Sequence, residues 1–176
     1  MKILTLCGSL RVNSSNRAIL RAYERLSPSN LIFEHYDRLG WLPHFNPDLD
    51  GETVPPEVGI LRSLVAGANA LVISTPEYAH GLPGAFKNAL DWLVSYPAFF
   101  GKPVVILHAA RGSNWALDSL REILRTMSAT LIETASVPLP LGSNRVDDEA
   151  ILGRPELRLV LLESLSELEN FLKLDR

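Results

Sequence analysis

Residues 2–17 of the chain are KILTLCGSLRVNSSNR. Residues 2–6 form a short apolar run that is typical of a buried strand of a parallel sheet. Gly8 and Ser9 end this run. The next segment, residues 14–26, has apolar side chains at helical spacing: Ile19, Leu20, Tyr23 and Leu26. A buried strand that passes through a polar turn into an amphipathic helix indicates the first half of a βαβ unit.

The same alternation continues along the chain. We predict further strands at 31–36, 70–74, 103–108 and 130–137, and further helices at 56–68, 84–96, 114–127 and 155–172. Residues 38–55 and 139–153 are predicted as loops. Right-handed crossovers then give a five-stranded parallel sheet with helices on both faces, a flavodoxin-like three-layer sandwich of strand order 2-1-3-4-5 in one domain over residues 1–176. Ligands of such sheets lie beyond the carboxyl ends of the strands.

Composition limits the possible functions. The chain has 176 residues, 47% of them hydrophobic, and a formal net charge of −3, which gives no long-range attraction to nucleic acid. Apolar runs stay well short of the roughly 20 residues that span a bilayer. The N-terminal run is too short for a signal peptide. We therefore expect a cytoplasmic protein with no nucleic-acid partner and no membrane insertion.

The loop after the first strand is rich in phosphate-binding groups. Its hydroxyls, amide and guanidinium stand where a helix begins, and a helix N-terminus attracts a phosphate dianion. The residues predicted to hold the phosphate are Ser9, Arg11, Ser14, Ser15 and Asn16. An alternative is that Ser14 or Ser15 only caps the helix. For Ser15 and Arg17, solvent-facing roles are as compatible with the sequence as phosphate contact.

Other phosphate or catalytic motifs do not fit. The loop has only Gly8, so the Gly-x-Gly-x-x-Gly fingerprint is missing, and no Gly-Lys-Ser/Thr occurs. A tyrosine phosphatase would need an arginine six residues after its cysteine, where this chain has Asn13 after Cys7. Cys7 is interpreted as a buried strand residue. The four histidines have no metal-ligand spacing, so no metal site is assigned. No catalytic residue is assigned either.

Residues 74–93, which run from the end of the third predicted strand through a loop into the next predicted helix, read STPEYAHGLPGAFKNALDWL. The two prolines and two glycines of this stretch predict a tight turn that lets the backbone approach a planar ligand. This stretch resembles the Pro-Glu-Tyr, Pro-Gly and Lys-Asn-Ala-Leu-Asp-Trp signature of the NADPH-dependent FMN reductase family, which includes quinone, chromate and azo-dye reductases. The loop at residues 8–17 is similar to the phosphate loop of that family. The resemblance extends to about residue 137.

The resemblance implies roles for individual residues. Ser9, Arg11, Ser14 and Asn16 would hold the FMN phosphate, and the isoalloxazine ring would lie against the loop residues Pro76, Glu77 and Tyr78. The family usually has Asn after the tyrosine, whereas this chain has Ala79, which offers only its backbone amide. His80 is either a substrate contact or a rim residue without function. This departure affects the expected acceptor more than flavin binding.

The third loop follows His108. In the family this loop borders the flavin ring and the approach of NADPH. Arg111 is assigned to the cofactor site, where it would stabilise negative charge on reduced flavin or pair with a nucleotide phosphate, and the alternative is a solvated arginine. Ser113 is a candidate N-cap of the next helix, and His108 is interpreted as a core histidine.

The function that the resemblance implies is an oxidoreductase. FMN would be the bound cofactor and NADPH or NADH the co-substrate, in a ping-pong reaction with a small-molecule electron acceptor: a quinone, an azo compound, a metal oxyanion or free flavin. A homodimer or homotetramer is expected. Two alternatives are a flavodoxin-type electron carrier that does not itself oxidise NAD(P)H, and a binding module without flavin.

Overall fold

The computed structural model describes residues 1–110, 112–143 and 145–174. Strands and helices alternate as predicted up to β5. The strands are β1 (Lys2–Cys7), β2 (Ile32–Tyr36), β3 (Ala70–Ser74), β4 (Pro103–Ala109), β5 (Thr130–Leu131) and β6 (Val137–Leu139). The helices are α1 (Ser15–Leu26), α2 (Pro56–Gly67), α3 (Gly84–Asp91), α4 (Trp115–Thr126), α5 (Asp148–Leu152) and α6 (Pro155–Leu174). In the described part of the chain, no helix combines the length and the apolar composition that crossing a membrane requires.

The sheet has the predicted topology. Its strands lie in the order β2-β1-β3-β4-β5, every described pairing is parallel, and β6 pairs with β4. Strand β1 lies between β2 and β3, with Thr5 opposite His35 on one side and Val72 on the other. This order confirms the flavodoxin-like fold, and it places the switch point between β1 and β3.

Two apolar layers pack on the two faces of the sheet. Side chains alternate along a strand, so Leu4 and Leu6 point to the layer that α2, α3 and α4 cover. Ile3 and Cys7 point to the opposite layer, under α1 and α6. Because both faces are covered, the strands are continuous apolar runs, which is the pattern that marked them in the sequence.

The prediction of one strand at 130–137 is wrong in part. The chain forms a turn between β5 and β6, in which the Ser136 backbone N–H donates to the carbonyl of Ile132 (3.0 Å). The Ser136 hydroxyl then accepts a hydrogen bond from the backbone N–H of Ile106 on β4 (3.0 Å). The serine hydroxyl thus takes the place of a backbone carbonyl of a neighbouring strand. The strand next to β4 is interrupted here, but the Ile106 N–H still has a hydrogen-bond acceptor.

Two further boundaries differ from the prediction. The segment predicted as a loop at 139–153 contains the end of β6 and helix α5, whose N-cap Asp147 accepts from the Ala150 N–H (2.8 Å). Helix α3 ends at Asp91 instead of Tyr96. Beyond it the Trp92 carbonyl accepts from the Arg62 guanidinium (2.8 Å), a long-range contact that no local pattern announces.

Gly8 is where β1 and the loop after β3 come closest. Its N–H donates to the Ser74 carbonyl (2.9 Å), and a β-carbon at this position would overlap the Thr75 side chain. Hence only glycine fits here, for reasons of space and not of backbone angle. The contact holds the loop after β1 against the loop after β3.

We predict that Gly8→Ala lowers the free energy of unfolding by about 1–3 kcal/mol, the usual cost of forcing a methyl group into a packed site. Urea denaturation measures this difference. Gly67→Ala is the matched control, since nothing lies within 4 Å of its added β-carbon and it ends helix α2. An equal effect of both substitutions would contradict the steric argument.

Candidate functional site

A cavity of about 280 Å³ opens at the carboxyl ends of β1, β3 and β4. It lies at the predicted switch point, and the loops after these three strands supply most of its walls. Eight of the residues assigned from the sequence line it together: Ser9, Arg11, Ser14, Ser15, Asn16, Pro76, Glu77 and Tyr78. Ala79 is exposed at the tip of its turn, outside that lining. Arg111 lies outside the described residues.

The first wall is a set of buried polar groups at the start of α1. Ser9, Ser14, Ser15 and Asn16 are only 3–8% exposed. Ser14 is the N-cap of α1, and its hydroxyl accepts a hydrogen bond from the Asn16 N–H (3.2 Å). The residue therefore caps the helix and also lines the cavity. No acidic residue stands in the first turn of α1. The partial positive charge of the helix terminus therefore faces the cavity without a carboxylate of its own helix to offset it.

Ser15 differs from its neighbours in having no structural bond. It is 4% exposed and lines the cavity. Within the described residues its hydroxyl makes no hydrogen bond, whereas Asn16 Oδ1 accepts from the Ser74 hydroxyl (3.0 Å) and so joins α1 to β3. The Ser15 hydroxyl is thus free to bond a ligand.

The second wall is residues 75–78, which lead into a hairpin turn with two central residues. The Tyr78 N–H donates to the Gly81 carbonyl and the Gly81 N–H to the Tyr78 carbonyl, both at 3.0 Å. Ala79 and His80 between them have φ values of 49° and 60°. This left-handed region favours Gly and Asn, and other residues occupy it at a cost of roughly 1–2 kcal/mol each. The asparagine usual in the family would fit this turn with less strain than Ala79 does.

Glu77 joins the second loop to the third. Its carboxylate accepts from the Ser113 hydroxyl (2.5 Å) and from the Ala116 N–H (2.9 Å) in the first turn of α4. The N-cap residue Asn114 makes no side-chain capping bond, and neither does Ser113, the predicted cap. Glu77 therefore caps α4 from another loop. The hydrogen bonds from Ala116 and Ser113 lower the pKa of the Glu77 carboxyl below its ordinary value. The nearby His80 adds to this effect, and partial desolvation opposes it.

Sequence reasoning missed several lining residues. Thr75, Ile106, Ala109 and Ser113 belong to the cavity wall, and so does His108, which was interpreted as a core histidine. Burial lowers the pKa of His108, and the charge of Arg121 adds to this effect, so its imidazole is neutral at neutral pH. His108 lies near the carboxyl end of β4, where ligands of such sheets bind, so its position in the sequence indicated a residue of the cavity wall.

Cys7 does not have the properties of a nucleophile. The residue is 5% exposed, and burial raises the pKa of its thiol. A catalytic cysteine needs a stabilised thiolate, and phosphatase chemistry needs one as well. The structure thus supports the interpretation of Cys7 as a packing residue at the end of β1.

We predict that Glu77→Gln destabilises the protein at neutral pH but not in acid. A carboxyl group with a lowered pKa stabilises the folded state above its unfolded pKa, and this contribution disappears as the pH falls through the folded pKa. The difference in melting temperature between the variant and the wild type should therefore shrink as the pH falls below the ordinary glutamate pKa of about 4.3. Glu163→Gln, at an exposed position of α6, serves as control. A difference that persists at acid pH would contradict the role of the charge.

Comparison with known proteins identifies the family. The model for "NADPH-dependent FMN reductase" matches residues 1–143. An NAD(P)H-dependent FMN reductase of Pseudomonas aeruginosa is 31% identical over 178 residues, covering 98% of this chain and 96% of that protein. A quinone reductase of Escherichia coli is 30% identical over 155 residues, covering 85% and 82%.

A solved structure shares the fold. The flavoenzyme NAD(P)H:(acceptor) oxidoreductase FerB of Paracoccus denitrificans superposes with a TM-score of 0.71 at 23% identity, over 96% of this chain and 97% of that one. The sequence matches extend through both cavity-lining loops and confirm the resemblance first seen there. The chain belongs to the NADPH-dependent FMN reductase family.

Proposed function

We propose that the cavity binds FMN and that the protein transfers reducing equivalents from NAD(P)H to a small oxidised acceptor. The observation that carries the proposal is the junction of two unlike walls in one cavity. One wall is a polar helix terminus suited to a phosphate, and the other is a proline-containing turn suited to a flat ring.

The residues of the first wall fit a phosphomonoester. A phosphate dianion needs donors on several sides and little competing negative charge. Ser9, Ser14 and Ser15 offer hydroxyls, α1 offers the N–H groups of its first turn, and Arg11 offers a guanidinium at the rim. The buried positions of these serines reduce competition from water, which strengthens each bond to a charged ligand.

The residues of the second wall fit the isoalloxazine ring. Pro76 and Tyr78 line the cavity on one side, and Leu117 and Leu120 of α4 line it on another. Tyr78 lines the cavity and is 51% exposed, and the exposed Trp115 ring stands 5.9 Å from the ring of His80 in the adjacent turn. The half-open mouth of the cavity leaves room for a second planar molecule to stack against the first.

When bound, FMN supplies hydride and electron transfer, and the protein supplies binding and orientation. The Ser9–Asn16 loop anchors the phosphate end. Glu77 holds the second loop against α4 and so keeps the ring wall in place. Burial lowers the pKa of His108, which disfavours a positive charge on this lining residue.

NAD(P)H and the acceptor use the same open mouth in turn in this proposal, which is a ping-pong scheme. The names of the relatives favour quinones among the acceptors, since one is the quinone reductase of E. coli and another is a 2-hydroxy-1,4-benzoquinone reductase of Burkholderia. Azo compounds, metal oxyanions and free flavin are the other acceptors proposed. The homodimer or homotetramer expected from the family stays a prediction.

We predict that Ser15→Ala weakens FMN binding roughly 10- to 100-fold, the value of one hydrogen bond to a charged group. The change in melting temperature without FMN should be small, because the Ser15 hydroxyl bonds no described residue. Titration of the apoprotein followed by flavin fluorescence measures the affinity. Ser63→Ala, at an exposed position of α2, is the control. An unchanged FMN affinity in Ser15→Ala would contradict the phosphate site.

A second experiment separates the reductase from the electron carrier. We expect anaerobic NADPH or NADH to bleach the visible absorbance of the FMN-loaded protein within the time of ordinary turnover, and a quinone to restore it. Stopped-flow absorbance measures both phases. Bleaching by dithionite but by neither nicotinamide nucleotide would instead indicate a flavodoxin-type carrier, and failure to bind FMN at all would remove both functions.

A further inference from the structure

The imidazole of His108 faces the cavity without a hydrogen bond to the described part of the protein. The residue lies on β4 and lines the cavity beside Leu117 and Leu120 of α4. By contrast, both ring nitrogens of His35 are bonded to side chains. Neither nitrogen of His108 is among the buried polar atoms that lack a partner, so both are open to the space that the residue lines.

His108 differs chemically from the other titratable groups of the cavity wall, which are Arg11, Glu77 and Tyr78. An arginine keeps its charge over the whole physiological range. The Glu77 carboxylate accepts two hydrogen bonds that favour its charged form. Imidazole is the side chain that changes charge between about pH 5 and 8. Among these four groups His108 is therefore the one suited to take up a proton near neutral pH, and the Tyr78 hydroxyl is its rival.

The protein around His108 favours the neutral ring. Burial lowers the pKa of its imidazole, and the charge of Arg121 on α4 adds to this effect. Arg121 pairs with Glu133 from the turn after β5 (3.0 Å), which offsets part of its charge. On β6 the residue opposite His108 is Pro138, which carries no charge. New negative charge in the cavity is what would draw a proton onto this ring.

Reduction of a bound flavin supplies such a charge. A hydride carries two electrons and one proton, so its transfer from NAD(P)H gives the flavin one additional negative charge. From the position of His108 we propose that it takes up one proton when FMN in the cavity is reduced and gives this proton to the acceptor when FMN is reoxidised. The proposal rests on the proposed function, because it needs a flavin in the cavity that His108 lines.

The atoms and electrons of this scheme balance. In the first half, a C–H bond of the nicotinamide breaks, an N–H bond of the flavin forms, and a ring nitrogen of His108 takes a proton from water. In the second half, a quinone takes the hydride from the flavin and the proton from His108, which gives a hydroquinone and restores the neutral imidazole. The sum is oxidation of NAD(P)H and reduction of the quinone, with uptake of one proton from solvent.

The midpoint potential of the bound FMN tests the proton uptake without turnover. Each proton taken up with two electrons lowers this potential by about 30 mV per unit rise in pH, the value of a tenfold change for a two-electron couple. Spectroelectrochemistry from about pH 6 to 8 should show about twice this slope in the wild type and the single slope in His108→Gln. His44→Gln, at an exposed position of the loop before α2, is the matched control and should keep the wild-type slope.

Two results of this titration would overturn the proposal. One is an equal slope in the wild type and in His108→Gln. The other is a loss of the steeper slope in Tyr78→Phe while His108→Gln retains it, which would assign the proton to the tyrosine.

Arg121→Gln is a second variant, and it leaves the imidazole in place. Removal of this positive charge favours the protonated ring, so the steep part of the potential profile should move to higher pH. An unshifted profile would show that the proton binds elsewhere.

Reoxidation of the reduced enzyme separates proton transfer from a general disturbance of the flavin site. 1,4-Benzoquinone takes a hydride and a proton, whereas ferricyanide takes single electrons and no proton. In stopped-flow experiments His108→Gln should slow reoxidation by the quinone at least about tenfold and reoxidation by ferricyanide no more than about twofold. Equal slowing with both acceptors would contradict a proton-transfer role.

Failure of the proposed function has a different signature. If NAD(P)H does not reduce the bound FMN but the slopes of the wild type and His108→Gln still differ, the reductase function is contradicted and the proton site stands. If the protein does not bind FMN, both are overturned.

Discussion

The contact between Gly8 and the Ser74–Thr75 backbone is the constraint on which the site depends. β1 and β3 are neighbours in the sheet, so their following loops leave its edge side by side. The absence of a side chain at Gly8 lets these loops touch, and the Gly8 N–H bonds the Ser74 carbonyl (2.9 Å). The Ser74 hydroxyl then reaches Asn16 in α1 (3.0 Å). A polar helix terminus and a rigid turn thereby become two walls of one cavity.

The start of α4 forms a third wall of the cavity, and the Glu77 carboxylate joins the loop after β3 to it through hydrogen bonds. The Glu77 carboxylate lies at the N-terminus of α4, where the helix dipole and two hydrogen bonds favour the charged form. The turn that follows Glu77 contains Ala79 and His80, whose backbones are strained. Strain of this kind persists where surrounding contacts hold it, and the Glu77 bonds supply such contacts beside the candidate ring site.

Local patterns predicted most of the fold. The bounds of β3 agree residue for residue, and α1 begins one residue after its predicted start because Ser14 is the cap. The apolar run and the capping signal are both local, so no tertiary information was needed. The split of the last strand depends on Ser136 bonding Ile106, and α5 is a helix of five residues held by its Asp147 cap and by buried Ile151. The Ser136–Ile106 bond joins residues 30 apart, so no window of neighbouring residues shows it, whereas the Asp147 cap is a local signal that the sequence analysis missed.

The sequence by itself determined the class of fold, the edge of the sheet where a cavity opens, and the serines that line that cavity, because each follows from spacing within a short segment. Only the tertiary structure decided which group caps α4, and that His108 borders the cavity. These features depend on contacts between residues far apart in the chain, and pairing of that kind is set by how the helices dock on the sheet.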